Sequence, residues 1–413
     1  MKSKKILFVI NTLGRAGAEN ALITLLNRLV ETDKYGQLKI YLYVITGQGE
    51  LFSEVPKKVT VLNKKFSTES VLDKKGRKAL RKTCLGALVK RLDGVRKLPY
   101  IISNMIRMSG SGDIMPDKLL WRTIADECER FDDRFDLAVA FLEGGSTYYV
   151  ADHVNADKKC AFVHVDYTQA GYSRKLDKDC YVKFDKIFSV SDQVKDTFLK
   201  VYPELSEKAE VFRNIIDSER IVQLAGEGKG FDDGFTGRRI VTVCRLTKQK
   251  SLEISAEAMK LIKDARKKGD APVRWYILGE GDQRKNLEGY IEKCGVSEDF
   301  ILCGAFDNPY PYINDADIYV HATRFEGRSI AIREAMLLGK AVIASDTGDN
   351  RDLIDDGVDG FLCKLDAKAL AEKIMNVIDN KEILDTLGKA ASAKEMSAPD
   401  DTDKLMSLIS QED

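Results

Sequence analysis

The sequence predicts an α/β protein built of two Rossmann-like halves. Three observations carry that expectation. Short apolar runs alternate with stretches of helical periodicity along most of the 413 residues, the pattern of parallel strands joined by crossover helices. The series stops once and begins afresh after residues 221–237, IVQLAGEGKGFDDGFTG, which gather five glycines and several acidic residues and so read as a connection. The length is comfortable for two domains.

The elements follow in order. The first half opens with the strand KKILFVIN, the loop TLGRAGAEN, the helical ALITLLNRLVE and the strand KIYLYVIT. Later strands are DLAVAFL (136–142), CAFVHV (160–165) and KIFSVS (186–191). The second half runs RRIVTVCRL, a helix over 251–267, VRWYILGEG, a helix over 282–294, FILCGAF, DIYVHAT, a helix over 329–338 and AVIASD. The expected domains are therefore 1–213, a linker 214–237, a second domain 238–390 and a polar tail 391–413, with room in the tail for a helix returning to the first domain. Open parallel sheets bind ligands at the carboxyl ends of their strands. Two such sheets point to an enzyme or a binding protein that closes on its ligand.

Composition bounds the function. Apolar residues make up 44%, charged residues 31%, and the formal net charge is zero. That is an ordinary soluble mixture, and it gives no whole-molecule reason for a nucleic-acid partner. No run approaches 18 apolar residues, and ILFVI near the N-terminus is too short for a signal-peptide core, so a cytoplasmic protein is expected. Eight cysteines are scattered without a CxxC pair and read as reduced thiols. No metal is expected: the three histidines lack ligand spacing, and Asp315-Ala316-Asp317 reads as a strand-entry turn. Local charge differs. Residues 57–107 hold fifteen Lys or Arg against three Asp or Glu. Leu85, Leu88, Leu92 and Val95 recur there at helical spacing, opposite Lys82, Lys90, Asp93 and Lys97. This basic amphipathic stretch predicts contact with an anionic membrane surface, a lysine-rich helix packed on the first domain being the alternative.

Candidate chemistry concentrates in the second half. Arg245 and Lys250 follow a strand, in the loop before a helix, where two cations could neutralise a diphosphate; a solvated basic loop is the alternative. Gly279 and Gly281 come directly after a strand and would let a ligand approach the backbone. In RFEGRSIAIREAMLLGKAVIASDTG (324–348), Ser329 is an early helix residue and Gly339 a C-terminal stop. The amides of Gly327, Arg328, Ser329 and Ile330 would present the positive end of the helix dipole to a phosphate. Helical side chains lean toward the N-terminus, and Glu334 lies about 7.5 Å along the axis from Ser329. That distance suits a sugar diol beside the phosphates rather than the phosphates themselves. Glu326, in the loop, would lie on the other side.

These residues, in this order, carry a resemblance. Arg245 and Lys250, the Gly-Glu-Gly turn, FDNPYPYINDADIYVHAT (which contains Asn308) and EGRSIAIRE resemble glycosyltransferase family 4, retaining enzymes of the GT-B fold, in which two Rossmann-like domains face each other across a cleft. The family's two glutamates separated by seven residues match Glu326 and Glu334, and its R-x4-K phosphate pair matches Arg245 and Lys250. The first half agrees, with a loop carrying Gly14 and Gly17 ahead of Ala18-Glu19 and a strand ending in His164, followed by Asp166. Ala16 stands where the family often has a second glycine, and Arg328-Ser329 replace its usual step after Glu326-Gly327.

The resemblance implies a nucleotide-sugar donor, UDP-linked, bound by the second domain through Glu334, Gly279, Gly281, Gly327, Arg328, Ser329, Ile330 and Asn308. It implies His164, Glu326, Arg245 and Lys250 in the catalytic roles, and no cofactor, the cations serving the leaving diphosphate without a metal. On the acceptor side, with Gly14, Gly17 and Asp166, it implies a saccharide, lipid-linked, in cell-envelope polysaccharide synthesis. A GT-B epimerase acting on a UDP-sugar and a non-catalytic sugar-nucleotide sensor or partner subunit are the alternatives.

Overall fold

The computed structural model describes residues 3–33, 36–70, 75–76, 78, 82, 86, 93–110 and 116–410. Part of the basic amphipathic stretch, Leu85, Leu88, Lys90 and Leu92 among it, lies outside the described residues. The chain divides into two compact units, one formed by residues 1–215 together with 400–413 and the other by 216–399.

The first unit holds a seven-stranded sheet of β1 (Lys4–Ile10), β2 (Leu38–Val44), β3 (Thr60–Val61), β4 (Phe135–Ala140), β5 (Ala156–Val163), β6 (Lys186–Ser189) and β7 (Ala209–Val211). Its order is β3-β2-β1-β4-β5-β6-β7, and every pairing is parallel. The second unit holds β8 (Arg238–Val243), β9 (Val273–Leu278), β10 (Phe300–Gly304), β11 (Ile318–His321), β12 (Ala341–Ser345) and β13 (Phe361–Cys363), in the order β10-β9-β8-β11-β12-β13, again all parallel. Continuous apolar strands make sense in such sheets, because helices cover both faces. Ile6 through Ile10 and Val342 through Ala344 are accordingly buried.

Both sheets reverse their winding, between β1 and β4 in the first and between β8 and β11 in the second. At such a point the loops leaving neighbouring strands part to opposite faces and open a crevice at the strands' carboxyl ends. The loops after β1, β4, β8 and β11 are therefore where function is to be sought.

The boundaries carry more structure than composition shows. Residues 214–237, read as a linker, contain the helix Ser218–Ala225, and the Leu224 carbonyl accepts from Asn308 Nδ2 at 2.8 Å. The polar end of the chain is helical twice. The helix Lys381–Met396 belongs to the second unit, where Glu395 pairs with Arg333 at 2.8 Å. The helix Thr402–Ser410 packs on the first unit through buried Leu405 and Ile409. Lys404 Nζ donates to the Val211 carbonyl at 2.7 Å, and the Arg28–Asp400 pair at 2.7 Å fixes the approach.

Candidate active site

In the second unit two loops interlock at the winding reversal. The loop after β8 is anchored by buried Leu246, whose amide donates to the Glu280 carbonyl at 3.0 Å and whose carbonyl accepts from Gln283 N at 3.0 Å. Gly279 and Gly281 make this possible. A Cβ on Gly279 would lie 1.8 Å from the Cys244 oxygen, and one on Gly281 would lie 2.2 Å from that of Leu246. Gly279 also sits at φ +155°. The space that these glycines open is taken by the 244–246 loop, which accounts for them without a ligand.

From the same loop project the two cations. The Arg245 side chain is exposed and makes no ion pair among the described residues. Lys250 turns inward. Its Nζ pairs with Glu326 Oε2 and lies 3.1 Å from His321 Nε2, which is itself 3.3 Å from Glu326 Oε2. The loop after β11 is laced to the first: Arg324 N donates to the Gln249 carbonyl at 2.9 Å, and Gln249 Nε2 donates to that of Phe325 at 2.7 Å. This lacing holds Glu326 against Lys250. Burial alone would raise the Glu326 pKa, but the Lys250 ammonium and His321 outweigh it, and the carboxyl is held well below the usual range. Burial and the same ammonium lower the pKa of His321, so its imidazole is neutral at neutral pH.

The helix Ile330–Leu337 starts one residue later than the sequence suggests. Ser329 is its N-cap, accepting from Ile332 N at 3.5 Å. The amides of Ile330 and Ala331 belong to the first turn, which has no intrahelical acceptor. At the other end Gly339, at φ +70°, closes a Schellman motif: its amide donates to Met336 O at 2.9 Å, and that of Lys340 to Ala335 O at 3.0 Å. Gly327 is buried and Arg328 half-buried in the approach to this helix. Glu334 is only 9% exposed and accepts from the Tyr310 hydroxyl at 2.8 Å. Burial raises its pKa to about 7, against the pull of Tyr310 and Arg333. Asn308, expected to meet a ligand, has both polar atoms engaged by backbone. Its Oδ1 accepts from Tyr310 N at 3.2 Å and its Nδ2 serves Leu224, so it sets the turn that delivers Tyr310 to Glu334. Asp315 and Asp317, the possible metal pair, also have protein partners: Asp315 accepts from Phe231 N at 3.2 Å and Asp317 from Arg239 N at 2.8 Å.

The first unit has its own cluster at the winding reversal. Asn11, at the end of β1, donates to the Glu143 carbonyl at 2.8 Å and accepts from Ser146 N at 2.7 Å. Glu143, 2% exposed, accepts from the amides of His164 and Val165. The His164 ring, 8% exposed, lies 5.1 Å from the Phe141 ring and 6.0 Å from that of Phe162. Burial lowers its pKa to about 4, partly offset by a hydrogen bond to the Phe141 backbone. Nε2 is buried without a hydrogen-bond partner. Asp166 turns the chain away from this point, accepting from Thr168 N and Gln169 N at 3.0 Å each. Gly14 is buried in the loop after β1, and Gly17 begins the next helix.

The structure thus gathers Lys250, Glu326 and His321 in one contact, and sets Glu334 in the helix entered through Gly327, Arg328, Ser329 and Ile330. It holds His164 against Glu143 in the other unit. Sequence reasoning missed Glu143, Tyr310 and His321.

Comparison with known proteins completes the picture. Residues 237–380 match the family model described as "Glycosyl transferases group 1". A Campylobacter jejuni N-acetylgalactosamine-N,N'-diacetylbacillosaminyl-diphospho-undecaprenol 4-alpha-N-acetylgalactosaminyltransferase is 30% identical over 45% of this chain and 48% of its own length. A Staphylococcus aureus poly(ribitol-phosphate) alpha-N-acetylglucosaminyltransferase is 23% identical over 58% of this chain and 47% of its own. The chain spans about half the length of the curated relatives it matches. Among solved structures, Anabaena HepE in complex with UDP superposes with a TM-score of 0.64 at 17% identity, covering 98% of both chains. Sucrose-phosphate synthase from Thermosynechococcus elongatus gives 0.66 at 14% identity, covering 99% of both. With two Rossmann-like units and that structural likeness, the chain has the GT-B fold, and its residues 237–380 are similar to the group 1 glycosyl transferases.

Proposed function

We propose that this protein is a retaining glycosyltransferase that moves a hexose or N-acetylhexosamine from a nucleotide-diphosphate sugar, a UDP-sugar, to a lipid-linked saccharide in cell-envelope polysaccharide synthesis. The observation that carries the reading is the Lys250–Glu326 pair below a capped helix N-terminus, with exposed Arg245 in the same loop. The relatives' names support the substrate classes: one acts on an undecaprenyl diphosphate-linked sugar and the other on poly(ribitol phosphate). HepE with bound UDP supports the nucleotide.

In this reading the acceptor hydroxyl oxygen bonds to the sugar's C1 as the C1–O bond to the diphosphate breaks; that bond's electrons leave with UDP, whose departing oxygen takes up the hydroxyl proton. Arg245 and Lys250 stabilise the growing negative charge, which is the work a metal would otherwise do. First-turn amides at Ile330 and Ala331 add the helix dipole. Glu326 serves the transferred sugar and Glu334 the ribose. His164, whose Nε2 has no partner in the protein, meets a sugar hydroxyl near the reacting centre.

Membrane contact belongs to the same proposal. The helix Asp93–Gly110 leaves Ile102, Met105 and Ile106 exposed at the spacing of one helical face, at the C-terminal end of the basic stretch. No described helix is long and apolar enough to cross a membrane. A thermal-shift panel of UDP-, GDP-, ADP- and CMP-sugars tests the donor, followed by an acceptor-free assay. Slow UDP release supports transfer, C2 inversion of the sugar replaces it with epimerisation, and stabilisation with no turnover replaces it with sensing.

A further inference from the structure

His321 lies at the end of β11, 1% exposed. Its Nε2 faces two groups with opposite needs: the Lys250 ammonium at 3.1 Å, which donates, and the Glu326 carboxylate at 3.3 Å, which accepts. On the far side of the ring, Nδ1 lies 3.4 Å from the Tyr319 hydroxyl, which lies 3.3 Å from the Val243 carbonyl. A neutral imidazole carries one N–H, so Nε2 can serve only one of its two neighbours at a time. The choice propagates. With the proton on Nδ1, that nitrogen donates to Tyr319, Tyr319 donates to Val243 O, and bare Nε2 accepts from Lys250. With the proton on Nε2, the imidazole donates to Glu326, and Tyr319 turns its hydrogen to Nδ1. Both settings leave the ring nitrogens satisfied.

We infer that His321 is a positioning residue with two settings, one supporting Lys250 and the other Glu326, and that a diphosphate arriving at Lys250 drives it from the first to the second. This rests on the reading that Lys250 takes the donor's diphosphate. Phosphate oxygens compete with Glu326 for the ammonium. As Lys250 turns to them, Glu326 loses its counter-cation and needs a donor, which the imidazole supplies from Nε2. The carboxylate is thereby held in place while its free oxygen meets the sugar being transferred.

The chain has three histidines, so each imidazole can be assigned by single substitution in histidine-selective 15N spectra. UDP should move the His321 Nε2 signal toward the N–H range and Nδ1 toward the bare range, in opposite directions. His321→Phe should lower kcat about 10- to 100-fold, the loss expected for a hydrogen bond to a charged group, with UDP Kd changed by less than about 3-fold. His321→Gln, which retains a donor and an acceptor, should recover part of kcat. UDP binding with an unchanged His321 tautomer would overturn the relay while sparing the donor site. Loss of kcat and UDP affinity together in His321→Phe would also overturn it. No binding of UDP at all would overturn both the relay and the donor assignment beneath it.

Discussion

Glu334 offers a test that separates its titration from its contacts. Replacing Glu334 with Gln keeps an oxygen to accept from Tyr310, which donates to the carboxylate at 2.8 Å, but removes the ionisable group. In the wild type, burial raises this pKa from 4.5 to about 7. A carboxyl whose pKa is higher folded than unfolded binds its proton more tightly in the native state. Its stabilising effect is therefore full below pH 4.5 and is lost as pH rises through 7. At 1.36 kcal/mol per unit the whole shift is worth about 3 kcal/mol, most of which falls between pH 5 and pH 8. Urea unfolding of both proteins at those two pH values reads this directly. The wild type should lose about 2–3 kcal/mol more than Glu334→Gln on going from pH 5 to pH 8. UDP titrations supply the functional half. A ribose diol gains most from an ionised acceptor, so the wild type should bind UDP about 10-fold more tightly than the variant at pH 8. That advantage should shrink toward pH 6 as Glu334 takes up its proton. Parallel pH dependences of stability would refute the buried-carboxyl reasoning, and an affinity ratio independent of pH would refute the ribose assignment.

Other perturbations test other parts. Arg245→Ala should lower turnover about 10²–10³-fold while weakening donor binding less, because the charge it meets grows in the transition state; near-normal turnover, measured by UDP release, would remove it from the phosphate site. The Arg333–Glu395 pair, with side chains 3% and 4% exposed, should make Glu395→Ala cost about 3–5 kcal/mol, read by urea unfolding, since a buried guanidinium loses its paired carboxylate. The protein should sediment with anionic vesicles at low salt and release as salt rises. Replacing Lys74, Lys75, Arg77, Lys78, Arg81 and Lys82 with Gln should abolish this with UDP binding intact.

Much of the architecture was legible because parallel strands buried on both faces leave continuous apolar runs. KILFVI, IVTV and AVIAS are such runs, and each is a strand. The short edge strands β7 and β13, three residues each, carry too few side chains to make a pattern, and their existence depends on the neighbour that pairs with them. The returning helix Thr402–Ser410 was hard to read for a related reason: its apolar face, Leu405 and Ile409, is narrow and set among charges. Within the site, the two glutamates and the Arg245–Lys250 pair were visible because they share local spacing. Glu143 and Tyr310 were not, since their contacts span 21 and 24 residues and arise from sheet register and a turn. His321 was visible as a histidine ending the strand DIYVHAT, where a histidine is ordinarily satisfied by its surroundings. It is indeed satisfied, but by Lys250 and Glu326, and only the fold brings those two loops to it.

The two units use one geometric device and fill it with opposite electrostatics. In both, the loops at the reversal of sheet winding converge on a histidine next to a glutamate. In the second unit the glutamate is charged: the Lys250 ammonium holds Glu326 ionised, and a further cation, Arg245, stands exposed in the loop that carries Lys250. A site of that kind favours a polyanion, because the incoming charge replaces one that is already solvated by the protein. In the first unit the carboxylate of Glu143 is consumed by two backbone amides, and His164 is kept neutral between phenylalanine rings. Such a site offers a hydrogen-bonding nitrogen without a counter-charge, which suits a neutral hydroxyl and disfavours a phosphate. The same topology can therefore be fitted to two different ligands, and the proposed division into a diphosphate-bearing donor and a hydroxyl-bearing acceptor rests on which side chains the chain commits to each reversal point.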